Sequence, residues 1–256
     1  KMGTYGFMKL GFPLFPDATR AFTPTLLVLS VVSIVYGACL ALVQSDIKKV
    51  IAYSSISHLG YVMLGLVSLD LVGIQGALVQ MVSHGLVAGG LFTMVGMIYE
   101  RCHTRDIAAY GGLAKLLPVY SVFFAILTLA SIGLPTTSGF TGEFMALLGA
   151  FNAFWPQHVA GNSLPLAMAI VAVSGVVLGA LYMLWLAQRL LFGPVKAPHQ
   201  PFTDLVARER AILAAFVIAI FALGLFPREP LAKTELAARD YQQRVMSTRL
   251  PVEVAP

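Results

Sequence analysis

Charged side chains are scarce in this sequence. Asp, Glu, Lys and Arg make up 11% of its 256 residues, whereas soluble domains carry about 25%. Hydrophobic residues make up 58%, and the mean hydropathy is +0.81. This composition excludes an ordinary soluble domain and predicts an integral membrane protein. The net charge of +5 does not indicate nucleic-acid binding, because the basic residues fall between and after apolar runs.

Cysteine is also scarce, and the usual cofactor and nucleotide motifs are missing from the sequence. Cys39 and Cys102 stand alone, without a CxxC pair or an iron–sulfur spacing. The sequence has no glycine-rich phosphate loop, no nucleophile triad and no haem motif. Any redox or ATP chemistry that drives this protein is therefore expected in other chains.

Apolar segments follow one another along most of the chain. They lie at 24–44, 47–69, 71–99, 116–155, 165–192 and 211–227. They predict an all-α membrane protein, a polytopic transmembrane helix bundle over residues 1–227 with a polar C-terminal tail over 228–256. Residues 1–15 are apolar but too short to span a bilayer alone. Because the chain starts with a charged residue in an apolar run, we expect it to be the C-terminal part of a longer protein.

One apolar segment is too long to be a single straight helix. A continuous helix over 119–155 would be about 55 Å long, whereas a bilayer core is about 30 Å thick. Pro135 removes a backbone donor, and Gly133, Gly139 and Gly142 resist helix formation. The sequence therefore predicts a broken helix, with the break near 131–143.

The basic residues favour one side of the membrane. Lys and Arg recur in the loops at 44–49, 100–115 and 189–210, whereas the internal loops on the other side contain only Arg20. The positive-inside rule predicts that the first set of loops is cytoplasmic.

Glu143 lies just past the predicted break, with no basic residue near it in sequence. A carboxyl group at membrane depth is costly without a partner or water, so Glu143 is a candidate functional residue. The alternative is that Glu143 only stabilises the N-terminus of the second half-helix through the helix dipole.

Two histidines lie in the middle of apolar segments. His58 lies within 47–69 and His84 within 71–99. An imidazole exchanges a proton near physiological pH, so two rings in one interior would form a proton relay. The alternative is that both are neutral and hold the bundle together by hydrogen bonds. Neither histidine has a second metal ligand at i+3 or i+4, which argues against a metal site.

Lysines complete the set of candidates. The ammonium of Lys1 would lie at mid-membrane if the preceding sequence is apolar, where it could load and release a proton. Lys48 follows Asp46 at a helix start and reads most simply as an interface residue, although it could carry protons inward. Lys9 is closer to a helix end and could snorkel to the surface. Tyr53 and Tyr182 could line the path, but aromatic residues inside bundles are usually packing.

Several runs of this sequence carry a resemblance to a known family. They are KMGTYGF at 1–7, QSDIKKVIAYSSISHLG at 44–60, QMVSHGL at 80–86, HTRD at 103–106 and GLPTTSGFTGEF at 133–144. The sequence resembles the antiporter-like membrane subunits of respiratory complex I, and within them the subunit M branch of bacterial NADH–quinone oxidoreductase, called chain 4 in mitochondria. The resemblance implies a fourteen-helix fold of inverted repeats with two broken helices, of which this chain would be the second half.

The same resemblance assigns roles residue by residue. It implies that Lys1 is the central-axis lysine, that His58 and His84 are the axis histidines, and that Glu143 is the acidic residue of the second broken helix, at an exit half-channel. Protons would pass along Lys1, His58, His84 and Glu143. A Glu rather than a Lys at 143 favours subunit M over subunits L and N. The family's Glu–Lys pair is expected upstream of this chain.

The function implied is that of a proton-translocating membrane-arm subunit coupled to quinone reduction, in a bacterial inner membrane. FMN, iron–sulfur clusters and quinone would be held by partner subunits and no cofactor by this chain. The expected partners are other membrane-arm subunits, including neighbouring antiporter-like ones, together with lipid, protons and internal water, and no nucleic acid. Two alternatives stay open. One is a subunit of a multi-subunit sodium/proton antiporter, and the other is a scaffold that has lost transport, against which the polar axis argues.

Overall fold

The computed structural model describes residues 1–196 and 203–247. This part of the chain is helical and contains no strand, only an isolated bridge between Asp46 and Asp106. The helices are α1 (Met2–Gly6), α2 (Phe12–Leu14), α3 (Pro16–Leu42), α4 (Ile47–Val67), α5 (Leu71–Cys102), α6 (Leu113–Leu116), α7 (Pro118–Ile132), α8 (Ser138–Val159), α9 (Leu164–Leu191), α10 (Ala207–Leu225) and α11 (Arg228–Met246). A π-helical segment (Phe7–Gly11) joins α1 to α2, and a 3-10 turn (Ile107–Ala109) precedes α6.

The prediction of a helical membrane bundle is confirmed. Helices α3, α4, α5 and α9 are each long and apolar enough to cross a membrane, and α10 with α11 forms a further pair, bent by 71°. Helix α3 begins at Pro16, before the predicted start at 24, because Pro suits the first turn of a helix and the polar residues that follow continue it.

Short turns join α3, α4 and α5, and an aspartate begins each of the last two helices. The Asp46 carboxylate accepts a hydrogen bond from the Lys49 backbone N–H, and Asp70 accepts from Val72 and Gly73. Such caps satisfy N–H groups that have no partner within the helix. The caps fix where α4 and α5 begin, and hence the depth at which their histidines lie.

The predicted broken helix is confirmed, and the break is shorter than expected. Helix α7 ends at Ile132 and α8 begins at Ser138. Gly133 takes the left-handed conformation at φ +78°, and Thr136 also has a positive φ of 88°. The Thr137 hydroxyl donates to the Leu134 carbonyl at 2.7 Å, which satisfies a backbone group inside the turn. The chain thus turns over about one helical turn and resumes its helix.

Gly139 and Gly142, which the sequence assigned to the break, lie inside α8. Their small size serves packing, because α8 approaches α5 closely at these positions and further along. A Cβ placed on Gly142 would lie 2.8 Å from the Gln80 Cα, and one on Gly149 would lie 2.2 Å from the Gly73 Cα. Small residues allow such backbone approach in membranes.

This close approach predicts the effect of adding one methyl group. We expect Gly149→Ala to destabilise the fold by about 1–3 kcal/mol, because overpacking forces backbone shifts. The measurement is the thermal unfolding midpoint of the purified protein in detergent. Gly85→Ala is the matched control, since a Cβ on Gly85 of α5 meets nothing within 4 Å. Equal midpoints for the two variants would contradict the packing described here.

Part of the predicted polar tail is a helix packed on the bundle. Helix α11 covers Arg228–Met246, and its Ala238, Tyr241 and Val245 are buried. The Tyr241 hydroxyl donates to the Leu66 carbonyl at 3.2 Å, and the Gln242 amide donates to the Leu69 carbonyl at 2.7 Å. This helix therefore packs against the end of α4 and the turn that leads to α5, and it satisfies two of their backbone carbonyl groups. Residues 248–256 of the predicted tail lie outside the described residues.

At one end of the bundle, acidic residues fix the start of α7. The Asp204 carboxylate accepts hydrogen bonds from the backbone N–H groups of Val119 and Tyr120, at 2.8 and 3.1 Å. The Arg101 guanidinium holds the Glu209 carboxylate with bonds of 2.9 and 2.7 Å. Carboxylates are favourable at a helix N-terminus, so this cluster ties α5, α7 and α10 together.

Candidate functional site

The candidate site lies where α4, α5 and α8 meet. Helix α4 contributes His58, α5 contributes His84 and Gln80, and α8 contributes Glu143. All four side chains are buried, and the Glu143 residue is only 6% exposed. Buried ionisable groups at membrane depth are costly and need partners. Each of these four has a partner in the same interior.

The central contact joins His58 to Glu143. The His58 Nδ1 lies 2.6 Å from Glu143 Oε1, and the His58 Nε2 lies 3.4 Å from the Tyr182 hydroxyl oxygen. At this separation the imidazole and the carboxyl group are within direct hydrogen-bond distance, so a proton can pass between them without an intervening group. Tyr182, which sequence reasoning treated as packing, thus contacts the far side of the ring.

The alternative reading of Glu143 as a helix-capping residue does not fit its position. Thr137 occupies the N-cap position of α8, which begins at Ser138, and no acidic residue lies in the first turn. Glu143 lies in the second turn, beyond the region where the helix dipole has most of its effect. Its carboxyl group points instead into the contact between helices.

His84 and Lys1 extend the His58–Glu143 contact into a row of four side chains. The His58 and His84 rings lie 5.0 Å apart between centroids, at an interplanar angle of 53°. The Lys1 Nζ contacts the His84 Nδ1. The spatial order is therefore Lys1, His84, His58, Glu143, and the two histidines are exchanged relative to the order expected from the sequence. Chain order does not determine this, because each ring reaches inward from a different helix.

A narrow cavity of about 10 Å³ lies beside this row. Such a volume holds the centre of about one water molecule. The polar residues that line it are Ser54, His58, Gln80, Ser83, His84, Ser131 and Glu143. Ala130 and Ser131 come from the end of α7, so the cavity reaches the break between α7 and α8. Polar walls and this size suit a bridging water.

Gln80 is a member of the site that sequence reasoning did not assign. Its Nε2 donates to Glu143 Oε1 at 2.8 Å, and the residue is 1% exposed. The signal available in the sequence is its position four residues before His84, which places both side chains on one face of α5. A glutamine does not titrate, so Gln80 does not stand out in the sequence as the ionisable residues do.

Lys48 lies away from the other predicted site residues. It is exposed in the first turn of α4 and lines a groove with Phe92, Val95, Gly96, Tyr99 and Arg105. His58 follows Lys48 by ten positions, which correspond to roughly 15 Å along the helix. A role for Lys48 in proton uptake stays a prediction.

Within residues 1–196 and 203–247, no group of three or more His, Cys, Asp or Glu side chains could hold a metal ion.

The broken helix of this membrane bundle brings a carboxyl group into contact with the first of two neighbouring histidines, and a lysine contacts the second. This arrangement agrees with the expected class of antiporter-like membrane subunits. Residues 1–168 match the profile of the family described as "NADH:quinone oxidoreductase/Mrp antiporter, TM", and the chain belongs to that family.

Relatives by sequence include respiratory subunits of bacteria and plants. The chain is 45% identical to NADH-quinone oxidoreductase subunit M of Rhodobacter capsulatus over 229 residues, which are 89% of this chain and 42% of the relative. It is 43% identical to NADH-ubiquinone oxidoreductase chain 4 of Marchantia polymorpha, again over 89% of this chain and 44% of the relative. The chain thus spans less than half the length of these relatives.

Solved structures agree with this placement. A chain of respiratory complex I from Thermus thermophilus matches with a TM-score of 0.85 and 32% identity, over 96% of this chain and 50% of that one. A chain of the Mrp complex from Dietzia sp. DQ12-45-1b matches with a TM-score of 0.74, over 90% of this chain and 50% of that one. At 20% identity, the second likeness shows a shared fold alone.

Proposed function

We propose that this chain belongs to a proton-translocating membrane-arm subunit of an NADH–quinone oxidoreductase. In this proposal Lys1, His84, His58 and Glu143 hold and pass protons through the bundle. The observation that carries it is the 2.6 Å contact between His58 Nδ1 and Glu143 Oε1. This contact lies at one end of a row of ionisable groups in which Glu143, His58 and His84 are buried and Lys1 is exposed. A structural scaffold has no need of such a row, since buried ionisable groups cost stability.

The side chains of this row influence one another's protonation through their charges. Lys1 contacts His84, and His84 lies 5.0 Å from His58 between ring centroids. A positive charge on Lys1 or His84 disfavours a second one on His58, while the Glu143 carboxylate favours it. In a low-dielectric interior these interactions are stronger than in water. A proton that arrives at the Lys1 end therefore drives the His58 proton toward Glu143.

In this proposal, protons leave Glu143 through the turn between α7 and α8. A Cβ placed on Gly133 would lie 3.4 Å from Glu143 Oε2, so this oxygen lies beside the turn between α7 and α8. Non-helical backbone is tolerated at membrane depth where it lines a cavity. We place proton release from Glu143 at this turn and proton uptake at the exposed end of α4, where Lys48 lies.

The energy for this transport would come from quinone reduction in partner subunits. These partners would hold FMN, iron–sulfur clusters and quinone, and redox steps there would reach this chain as shifts of charge and hydration. The relatives named subunit M and chain 4, at 43–45% identity, support this choice of complex.

A sodium/proton antiporter of several subunits is the second candidate. The family description covers both kinds of complex, and the fold also matches a chain of an Mrp complex. The identity with that chain is 20%, against 32% for the chain of respiratory complex I, which favours the first candidate.

Purification of the full-length subunit from its own membranes tests this choice. A tagged subunit is expected to co-purify with flavin and iron–sulfur subunits, and the preparation should reduce quinone with NADH. The same tag on an unrelated membrane protein serves as the control. Recovery with small membrane subunits alone, together with sodium-dependent proton exchange in vesicles, would replace the first candidate with the second.

A further inference from the structure

We propose that Gln80 is a positioning residue that holds the Glu143 carboxyl group against His58, and that Gly142 makes this possible. The inference rests on the proposed proton-transfer function and adds a residue that does not itself carry a proton. It concerns one contact between α5 and α8.

The first observation is that two side chains share one oxygen. Glu143 Oε1 lies 2.8 Å from the Gln80 Nε2, which donates to it, and 2.6 Å from the His58 Nδ1. A carboxyl group on a flexible side chain has several rotamers. Donors from α4 and α5 that converge on the same oxygen select one of them. The selected rotamer is the one in which proton transfer between His58 and Glu143 needs no movement.

The second observation is the space that Gly142 leaves. A Cβ on Gly142 would lie 2.5 Å from the Gln80 Oε1 and 2.8 Å from its Cα and Cβ. Any larger residue at 142 therefore displaces α8 from α5 or turns the amide away. The glycine before Glu143 thus lets the backbone of α8 come close enough for the Gln80 side chain to reach the carboxyl group.

The third observation is an unsatisfied atom. The Gln80 Oε1 is buried and has no hydrogen-bond partner among the described residues. Leaving a buried acceptor unpaired costs stability, so bundle stability alone does not explain an amide here. An amide carries two donors and an acceptor. It donates to Glu143 when the carboxyl group is ionised, and after rotation it accepts from Glu143 when the group is protonated.

Gln80 is therefore suited to both charge states that Glu143 must adopt during transport. The titratable groups that face this interior from the surrounding helices are Lys1, His58, Tyr61, His84 and Tyr182. Gln80, by contrast, contacts the carboxyl group without changing its own charge.

Gln80→Met in the full-length subunit of the intact enzyme tests the proposal. Methionine has a similar length but cannot donate, and a hydrogen bond to an ionised group is the stronger kind. We expect NADH-driven proton pumping to fall by about tenfold, and its pH profile to move by about one unit toward alkaline pH. Quinone reduction in uncoupled vesicles reports the amount of assembled enzyme.

Two further variants separate this role from packing. Gln75→Met is the matched control, because Gln75 lies on the same helix and donates to the Leu231 carbonyl at 3.2 Å, away from the site. It should leave the pH profile of pumping unchanged. Gly142→Ala keeps the Gln80 amide but blocks its position, and should shift the profile in the same direction as Gln80→Met. Gly85→Ala is the control for the added methyl group.

The outcomes distinguish the inference from the function on which it rests. If Glu143→Gln loses pumping while Gln80→Met keeps the parent's pumping and pH profile, the positioning role is wrong and the proposed function stands. If Glu143→Gln pumps like the parent, the proposed function fails first. A Gln80→Met enzyme with less pumping but an unshifted pH profile would assign Gln80 to packing and also overturn the inference.

Discussion

Replacing Glu143 with Gln is expected to reduce NADH-driven proton pumping to below about one hundredth of the parent rate, the range that positioned acid–base groups contribute. The amide keeps the shape of the side chain but cannot ionise, so it cannot accept the proton of His58. The measurement is the quenching of a pH-sensitive dye in sealed inverted vesicles that contain the full-length subunit in the intact enzyme. Parent-like quenching would show that proton release lies elsewhere.

Two further variants test whether the effect of Glu143→Gln comes from the loss of this one acidic group. Glu143→Asp keeps the acid but shortens the side chain by one methylene, which lengthens the 2.6 Å contact with His58. It should pump at an intermediate rate, because the adjoining cavity has room for about one water molecule that would bridge the gap. Glu100→Gln is the matched control, since Glu100 is exposed near the end of α5 and should pump like the parent.

Replacing Lys1 is expected to have the second large effect. Its ammonium contacts the His84 Nδ1 and supplies the positive charge at that end of the row. In the full-length subunit, Lys1→Met should lower pumping by about a hundredfold, the lower end of the range for proton-transfer groups. The same vesicle assay measures it. Lys9→Met is the control, because Lys9 is exposed in the adjoining π-helical segment.

An arginine at the same position distinguishes a proton carrier from a fixed charge. Arginine keeps the positive charge but does not release its proton in proteins. Lys1→Arg should therefore fail to pump although the charge next to His84 is retained. Full activity of Lys1→Arg would mean that the lysine acts only through its charge, and the row would then begin at His84.

Local patterns predicted the helices well, because hydropathy is a property of each segment by itself. The break was also predictable, since Pro135 and Gly133 act on their own backbone. The roles of Gly139 and Gly142 were not, because a glycine that breaks a helix and one that admits a neighbouring helix look alike in sequence. Only the packing of α5 on α8 separates the two cases.

In the candidate site, too, some features could be predicted from local sequence and others depend on how the helices pack. Ionisable residues stand out in an apolar sequence, so Lys1, His58, His84 and Glu143 could be predicted as site residues from the sequence. Their spatial order was not found, because it depends on how the helices are rotated about their axes. Gln80 was not predicted, since its role depends on a contact with a residue 63 positions away in the sequence.

The most direct test of the account follows the Glu143 proton itself. Infrared difference spectra of the purified intact enzyme, recorded during NADH-driven turnover, detect a carboxyl group that gains or loses a proton. We predict a carboxyl band in the parent that is absent in Glu143→Gln and displaced in frequency in Gln80→Met, because a hydrogen bond to the carboxyl group has been removed. Identical spectra for the parent and Glu143→Gln would contradict the claim that Glu143 changes its protonation during transport.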